Sequence, residues 1–546
     1  MRNYSEEKRI RPDILTAAVY WSIIIMMIYI IFSIRIFGDK GAGFSCGPIA
    51  LYYSFYSVFV LAVQKAVWVM VRVRARRSQF LNARDNMRNA FRFFAVFGIA
   101  VAGTLFFVSV FFSDTIFGSS RGLIQGVIVA VSILFLSIQG VLRGYLQGIG
   151  YTRPIVISDL IISVVAFVSG ILLTSAFHAY GVKANALFHI NEFSAVYGST
   201  GMMLGILIAS IVGLIQIGIS FYLRRGELDD VAKSGAARYL DSHNDVMSSV
   251  RPIIFLFAAP GFMMLFDQIF YVIHQRTIGS EADVVLNYGI YSGRVMTLIT
   301  VFSLLVCLPF IKSWNRIMAR VERDEFDGAR ERYASFFRKF ILLDLPVAIM
   351  VFVLAEPLQV AFFGKTGALA VGLLRLASLM ILLAPIATFA SWMLNHMGKS
   401  ILIVTNLTVA WAFHIGMVFV FEVVLKMGLY GILLAVIISV FVYDILCLLM
   451  FFKMFKIRVD NMRMFVFPLA CAAVMGLVCF FISLGLVNLI GDILTVAVCL
   501  VIGYVVYVAA ITVMKLLNYN DLRAIPFGKA FSGLLYLLGS NEEYDE

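Results

Sequence analysis

The chain has 546 residues, 61% of them hydrophobic and 14% charged, with a net charge of +12 and a mean hydropathy of +0.94. Soluble domains average roughly 45–50% apolar and about 25% charged residues, so a water-soluble globule is excluded: its core could not hide this much apolar surface. Nucleic-acid binding is not indicated either. The basic residues follow alternate connections between apolar runs and form no single patch, as orientation during membrane insertion and attraction to anionic lipid require.

Fourteen apolar runs follow one another, at 14–37, 48–71, 93–112, 122–142, 155–177, 199–223, 253–275, 287–311, 340–363, 368–394, 401–425, 428–452, 464–490 and 493–515. Each meets the need for about 20 residues to cross roughly 30 Å of hydrocarbon as a helix. None alternates polarity with a period of two, which argues against a β-barrel. The first run is too long for a signal-peptide core and no small-residue cleavage site follows it, so it reads as a retained membrane helix. Arg2, Lys8, Arg9 and Arg11 place the N-terminus inside, and an even number of spans returns the C-terminus to the same side. The first inside connection holds Arg72, Arg74, Arg76, Arg77, Arg84, Arg88 and Arg92, whereas the opposite ones hold little beyond Arg35, Lys40, Arg121, Lys183, Arg276, Lys365 and Lys426.

The chain repeats itself. At an offset of 246, Ala83, Arg84, Phe91, Arg92 and Phe94 meet identical residues in Ala329, Arg330, Phe337, Arg338 and Phe340, and Phe117-Gly118 falls on Phe363-Gly364. Gly150, opening run five, lies opposite Gly398, opening run eleven, and Tyr197-Gly198 echoes Tyr430-Gly431. Runs 1–6 and 7–12 therefore read as two copies of one six-helix unit inserted in the same orientation. The fold class expected is an all-α polytopic membrane protein of 14 transmembrane helices: two parallel six-helix lobes plus a C-terminal two-helix hairpin. The divisions are an N-lobe at 1–225, a cytoplasmic linker at 226–252, a C-lobe at 253–457, the hairpin at 458–518 and a cytoplasmic tail at 519–546. Repeat-built transporters place substrate between their lobes.

The 224–252 connection shows no sustained apolar period. The 312–339 connection gathers Trp314, Ile317, Met318, Val321 and Phe326 near one face of a charged helix, which reads as a helix lying along the cytoplasmic interface, and the segment 520–540 reads similarly.

An ionisable group inside a membrane helix is costly and is a functional candidate by default. These groups are Lys65, Asp159, Asp267, Arg294, Asp344, Arg375, His414 and Asp444. Asp267 and Arg294 lie on consecutive runs at similar height, about 21 Å from the inner start of run seven and about 10 Å from the outer start of run eight. Two readings stand: an ion pair, or a guanidinium fork offered to phosphate that Asp267 holds between substrates. Lys65 and Arg375 either snorkel to an interface or place a charge in a cavity. His414 is a packing residue or a protonation switch, since imidazole changes charge near neutral pH. Asp159 and Asp444 read as helix ties, and Asp344, just before Pro346, as fastening a broken backbone turn. Asp159, Asp344 and His414 are also carried as candidates for ion coupling or gating.

Gly140, Gly144 and Gly148 form a ridge for close helix packing. Six scattered cysteines show no Cys-x-x-Cys spacing, so neither a metal site nor a disulfide framework is indicated. No Walker motif or catalytic Ser/His/Asp grouping occurs, so no enzyme activity, catalytic residue, cofactor or nucleotide is expected.

The chain resembles the multidrug/oligosaccharidyl-lipid/polysaccharide (MOP) exporter superfamily. Within it, the chain is similar to the polysaccharide-biosynthesis branch that includes stage V sporulation protein B and the MurJ-type lipid II flippases. The resemblance is carried by FGDKGAGFSCGPIALYYSF (37–55), NARDNMRNAFRFF (82–94), VLRGYLQGIGYTRP (141–154), FDQIFYVIHQR (266–276), NYGIYSG (287–293), LNHMGKSILIVTN (394–406) and YNDLRAIPFGK (519–529). It implies a central cavity lined by helices 1, 2, 7 and 8, with Lys65, Arg294, Asp267 and Arg35 toward substrate. It also implies a flippase for a polyprenyl-pyrophosphate-linked saccharide in the bacterial cytoplasmic membrane, with membrane lipids as surroundings. A monomer is expected, working beside polymer-assembly enzymes. The chain departs from the pattern in helix 1, where only Arg35 is basic, and in helix 11, where His414 stands in place of a frequent Lys. The alternative function is a cation-coupled multidrug exporter of the same superfamily.

Overall fold

The structure, a computed structural model, describes residues 11–233, 243–279, 283–321, 323, 325–455 and 462–517. The expected helix at 520–540 lies outside the described residues. Among the described residues the chain is helical and contains no strand. Where water is excluded, a helix satisfies every backbone donor and acceptor within its own segment.

In chain order the helices are α1 (Pro12–Tyr56), α2 (Val63–Arg76), α3 (Phe80–Phe117), α4 (Leu123–Ile149), α5 (Arg153–Phe188), α6 (Phe193–Leu223), α7 (Arg225–Lys233), α8 (His243–Thr277), α9 (Val284–Gly289) and α10 (Thr297–Cys307). They continue with α11 (Ile311–Val321), α12 (Phe326–Val353), α13 (Ala355–Phe363), α14 (Ala368–Ala377), α15 (Leu379–His396), α16 (Ser400–Val418), α17 (Leu429–Phe455), α18 (Phe467–Ile490) and α19 (Asp492–Val513). Among the described residues four π-helical segments interrupt them, at Ser57–Ala62, Ile290–Met296, Phe419–Val424 and Met462–Val466.

Eleven helical segments among the described residues are long and apolar enough to cross a membrane, or thirteen if each of two bent pairs is one span. The bent pairs, α12–α13 at 78° and α14–α15 at 40°, occupy the ninth and tenth apolar runs. The first two runs instead form a single 65-residue segment, Pro12–Arg76. A straight helix of that length would reach about 98 Å, some three times the hydrocarbon thickness. It is not straight: Gly38 adopts φ 78° and ψ −179°, a conformation open to glycine for lack of a Cβ. The loop expected between residues 37 and 48 is therefore a one-residue break.

The chain divides into two compact units, Met1–Val301 with Gly398–Ser439, and Phe302–Met397 with Val440–Glu546. In the first unit α5 and α6 pack along their length, and the glycine ridge of α4 seats against α2 and the π-helical segment before it. A Cβ on Gly140 would collide with the Phe59 carbonyl oxygen, and one on Gly144 would lie 2.6 Å from that of Gln64. The expected loose linker begins as the docked helix α7, which buries Leu228 and Ala232. Tyr151 donates to Glu227 (2.6 Å) and Arg84 to Asp229 (3.1 Å), fixing it in place.

In the second unit the apolar face of α11 is an interior stripe. Trp314 is fully buried, its ring centroid 5.0 Å from Phe336 and 4.9 Å from Phe389. The expected interfacial placement of this face is corrected: the stripe meets an aromatic core contributed by α12 and α15, and one-sided hydrophobicity serves either environment equally. Asp344 does not fasten the turn at Pro346. Proline has no N–H for the carbonyl four residues earlier, and that carbonyl, of Leu342, accepts from the Tyr507 hydroxyl of α19 at 2.7 Å.

Matching positions of the sequence repeat adopt matching geometry. Gly118 after α3 and Gly364 after α13 both have φ 76°, the left-handed conformation that ends helices. Gly150 after α4 and Gly398 after α15 also have positive φ, 111° and 70°. Ala83 and Ala329, Phe94 and Phe340, and Phe117 and Phe363 are all buried.

Candidate functional site

Among the described residues of the first unit, four clusters are built on buried or largely buried charged side chains. The Gly38 break is followed by Asp39, and three glycines then bring α1 and the 284–296 segment into backbone contact. A Cβ on Gly43 would strike the Val285 carbonyl, one on Gly289 the Asp39 carbonyl, and one on Gly293 would come within 2.8 Å of Ala42 Cβ. Arg294 follows immediately, inside the π-helical segment Ile290–Met296. Its guanidinium forks onto Asp39: Nε donates to Oδ1, and Nη2 to Oδ2 at 2.7 Å. The pair is largely buried, with side-chain exposures of 8% and 19%. Beside it in sequence, Lys40 pairs with Glu192 (2.5 Å) and Asp283 (3.1 Å), and Glu192 also holds Arg121.

Asp267 of α8 does not form the expected pair with Arg294. Its Oδ1 accepts from Nε2 of His414, on α16, at 2.6 Å, and both side chains are buried. Further along α8, His274 Nδ1 and Gln275 Nε2 both donate to Glu422 Oε1, at 3.1 and 2.8 Å. Glu422 is fully buried within the π-helical segment Phe419–Val424. Arg276, next in α8, donates to both carboxyl oxygens of Asp114 (2.8 and 3.1 Å) and to the Gly118 carbonyl (2.9 Å).

The fourth cluster centres on Arg143 in α4, which is wholly buried. Its Nη2 donates to Asp159 Oδ1 at 2.5 Å, its Nε to Gln64 Oε1 at 2.7 Å and its Nη1 to Ser158 Oγ at 3.1 Å. Gln64 Nε2 in turn donates to Gln147 Oε1 at 2.7 Å. Asp159 thus joins α5 to α4, as a helix tie does.

Of the other residues singled out from sequence, Lys65 is half-buried and follows Gln64 on α2, and Arg35 is exposed one turn before the Gly38 break. In the second unit, Arg375 of α14 is exposed. Asp344 and Asp444 are buried there with no partner on either carboxyl oxygen. Three residues that sequence reading passed over carry clusters: Asp39, Arg143 and Glu422. Each lies near the end of an apolar run, where a charge reads as solvated. The available signal was the glycine spacing around Asp39 and Arg143, which marks backbone contact and hence burial. All six cysteines are buried and free. Among the described residues no group of three or more His, Cys, Asp or Glu could hold a metal ion.

No protein-family model and no curated protein sequence matches the chain. Solved structures do. The lipid II flippase MurJ in an inward closed conformation superposes with a TM-score of 0.59 at 14% identity, covering 93% of this chain and 99% of that one. An inward-facing multidrug resistance MATE family transporter of the MOP superfamily gives 0.58 at 13% identity, covering 81% and 99%. A eukaryotic MATE transporter gives 0.51 at 12% identity, covering 80% and 94%. The chain has the all-helical fold that these MOP transporters share.

Proposed function

We propose that the protein is an alternating-access carrier that moves a polyprenyl-pyrophosphate-linked saccharide across the bacterial cytoplasmic membrane. In this reading the Pro12–Arg76 segment counts as two crossings, which with both bent pairs as single spans gives fourteen helices with both termini cytoplasmic. Two six-helix lobes and a terminal hairpin follow, and the carrier works as a monomer. The observation that carries the proposal is the Arg294–Asp39 pair: a guanidinium held by a carboxylate in a fork geometry that a phosphate group can take over. The two carboxyl oxygens occupy the positions two phosphate oxygens would take, so substrate binding exchanges one anion for another without stranding the charge. Arg35 and Lys65 are assigned to the substrate path, and the fold likeness to a flippase described as acting on lipid II supports a lipid-linked cargo.

The test is native mass spectrometry of the purified protein with co-purifying lipids, joined to flipping of a fluorescent polyprenyl-pyrophosphate saccharide in proteoliposomes. Arg294→Ala is expected to lose bound lipid and to slow flipping at least about tenfold, with Arg294→Lys retaining part of the rate because it keeps charge without the fork. Undiminished flipping by Arg294→Ala at normal protein abundance would remove the assignment. A second reading, cation-coupled multidrug export, draws on the buried acids Asp267 and Glu422. Extrusion of cationic dyes by vesicles that ignore saccharide-lipid would favour it.

A further inference from the structure

Two carboxylate–imidazole pairs join the same two helical segments, α8 and the stretch from α16 into its π-helical end. Asp267 meets His414, and His274 meets Glu422. On α8 the partners are seven residues apart, about 10 Å along the axis, and on the facing segment eight, about 12 Å. They form a two-rung ladder in which acid and base exchange sides between rungs. Both carboxylates are buried, Asp267 at 1% exposure and Glu422 at 0%. On the His274–Glu422 rung one buried polar atom, Glu422 Oε2, is left unsatisfied.

The groups around the ladder limit what it can exchange. Tyr288 and Tyr291, from the 284–296 segment, lie within electrostatic reach of Asp267, and Cys46 of α1 within reach of Tyr288. Tyr271 of α8 senses Glu422 and Asp283. The rings of Phe266 and Phe270 flank His414 and His274, and the Ala435 backbone of α17 lies near His414. Arg276, adjacent on α8, is engaged by Asp114. Phenols and thiols ordinarily titrate above about pH 8, whereas imidazole and carboxylate ordinarily titrate near 6.5 and 4.

We propose that the two rungs are a proton-binding clasp, and that the proton is the ion coupled to movement of α8 against α16. A rung that holds one exchangeable proton, on imidazole or carboxyl, is neutral overall. Releasing that proton to water leaves the rung at a charge of −1. A net charge in a buried, water-poor contact is strongly disfavoured by lost solvation, so the deprotonated rung parts and hydrates, while the protonated rung holds the helices together. Two rungs exchange two protons. The proposal rests on the carrier reading for its biological purpose, but the helix movement itself requires no substrate.

The clasp is read by pulsed electron–electron distance measurement in nanodiscs. Spin labels are placed on p-acetylphenylalanine introduced at Ile273 and Ile415, both exposed (48% and 46%), so that the native cysteines stay untouched. The distance distribution is expected to shift between pH 5.5 and 8.5, identically in sodium and in potassium salt. Asp267→Asn with His414→Gln, or His274→Gln with Glu422→Gln, keeps a neutral hydrogen-bonding pair at its rung. Each double variant is expected to move the midpoint by about one pH unit, tenfold in proton concentration, and the two combined to abolish the shift. A folded double variant with an unchanged midpoint removes its rung. A distribution that ignores pH, or that follows sodium at fixed pH, overturns the proposal. Lack of saccharide-lipid flipping beside an intact pH-dependent shift would instead remove the substrate reading alone.

Discussion

Asp159→Asn is expected to be among the most destabilising single substitutions in the first unit, because it strands a buried guanidinium. Arg143 has no exposed surface, and its guanidinium is satisfied by three acceptors, of which Asp159 alone is charged. Removing that charge leaves a buried cation uncompensated, a loss of about 3–5 kcal/mol, or about two to four orders of magnitude in the unfolding equilibrium. Arg143→Met strands the carboxylate in the same way, so independent effects would sum to about 6–10 kcal/mol. The double variant Arg143→Met with Asp159→Leu should not reach that sum, because an apolar pair of similar volume replaces a buried ion pair at little net cost. Its residual deficit is Gln64 Oε1, which loses the Arg143 donor and costs about 1–3 kcal/mol when buried without one. Unfolding in mixed detergent–SDS micelles measures all three variants. Two results would refute the burial argument: Asp159→Asn costing under about 1 kcal/mol, or singles that simply add.

The close helix contact at the α4 ridge is checked by Gly140→Val, expected to cost about 1–3 kcal/mol or more because its Cβ meets the Phe59 carbonyl. Gly218→Ala in α6, with nothing within 4 Å of the added carbon, should gain about 0.5–1 kcal/mol in the same unfolding assay. Trp314→Ala is expected to lose about 3–5 kcal/mol if α11 packs on the aromatic core. A helix whose stripe faced lipid would lose far less, and vesicle-dependent tryptophan quenching separates the two.

The elements most legible in the sequence are those that length and repetition determine. The runs at 464–490 and 493–515 became helical segments within two residues at each end, Met462–Ile490 and Asp492–Val513. The offset of 246 correctly paired Gly118 with Gly364, because ending a helix in the left-handed region is a local requirement that glycine meets wherever it falls. Side-chain partners were less legible. Asp267 and Arg294 match in height, but height does not set the direction a side chain faces, which turns by about 100° per residue. Arg294 and Glu422 moreover sit in π-helical segments, where a wider turn resets that direction. Apolar periodicity cannot supply it, since lipid and helix interface are both apolar. Gly38 shows a further limit: a break of one residue leaves no polar stretch to mark it.

Asp344 and Asp444 pose the sharpest contrast between stability and use. Each is buried in the second unit with neither carboxyl oxygen partnered, and the carbonyl freed by Pro346, the partner expected for the Asp344 turn, is taken by Tyr507. A buried polar group without hydrogen bonds costs about 1–3 kcal/mol by mutational measure. Asp344→Leu and Asp444→Leu are therefore expected to raise stability by about that amount. A buried carboxyl that weakens the fold is a candidate for a working role, since working sites carry strained and destabilised positions. The prediction for Asp344, a candidate for ion coupling or gating, is accordingly double: Asp344→Leu unfolds at higher denaturant and transports more slowly. Destabilisation would show that the carboxyl has a structural partner. Higher stability with an undiminished transport rate would show that the fold carries it without using it.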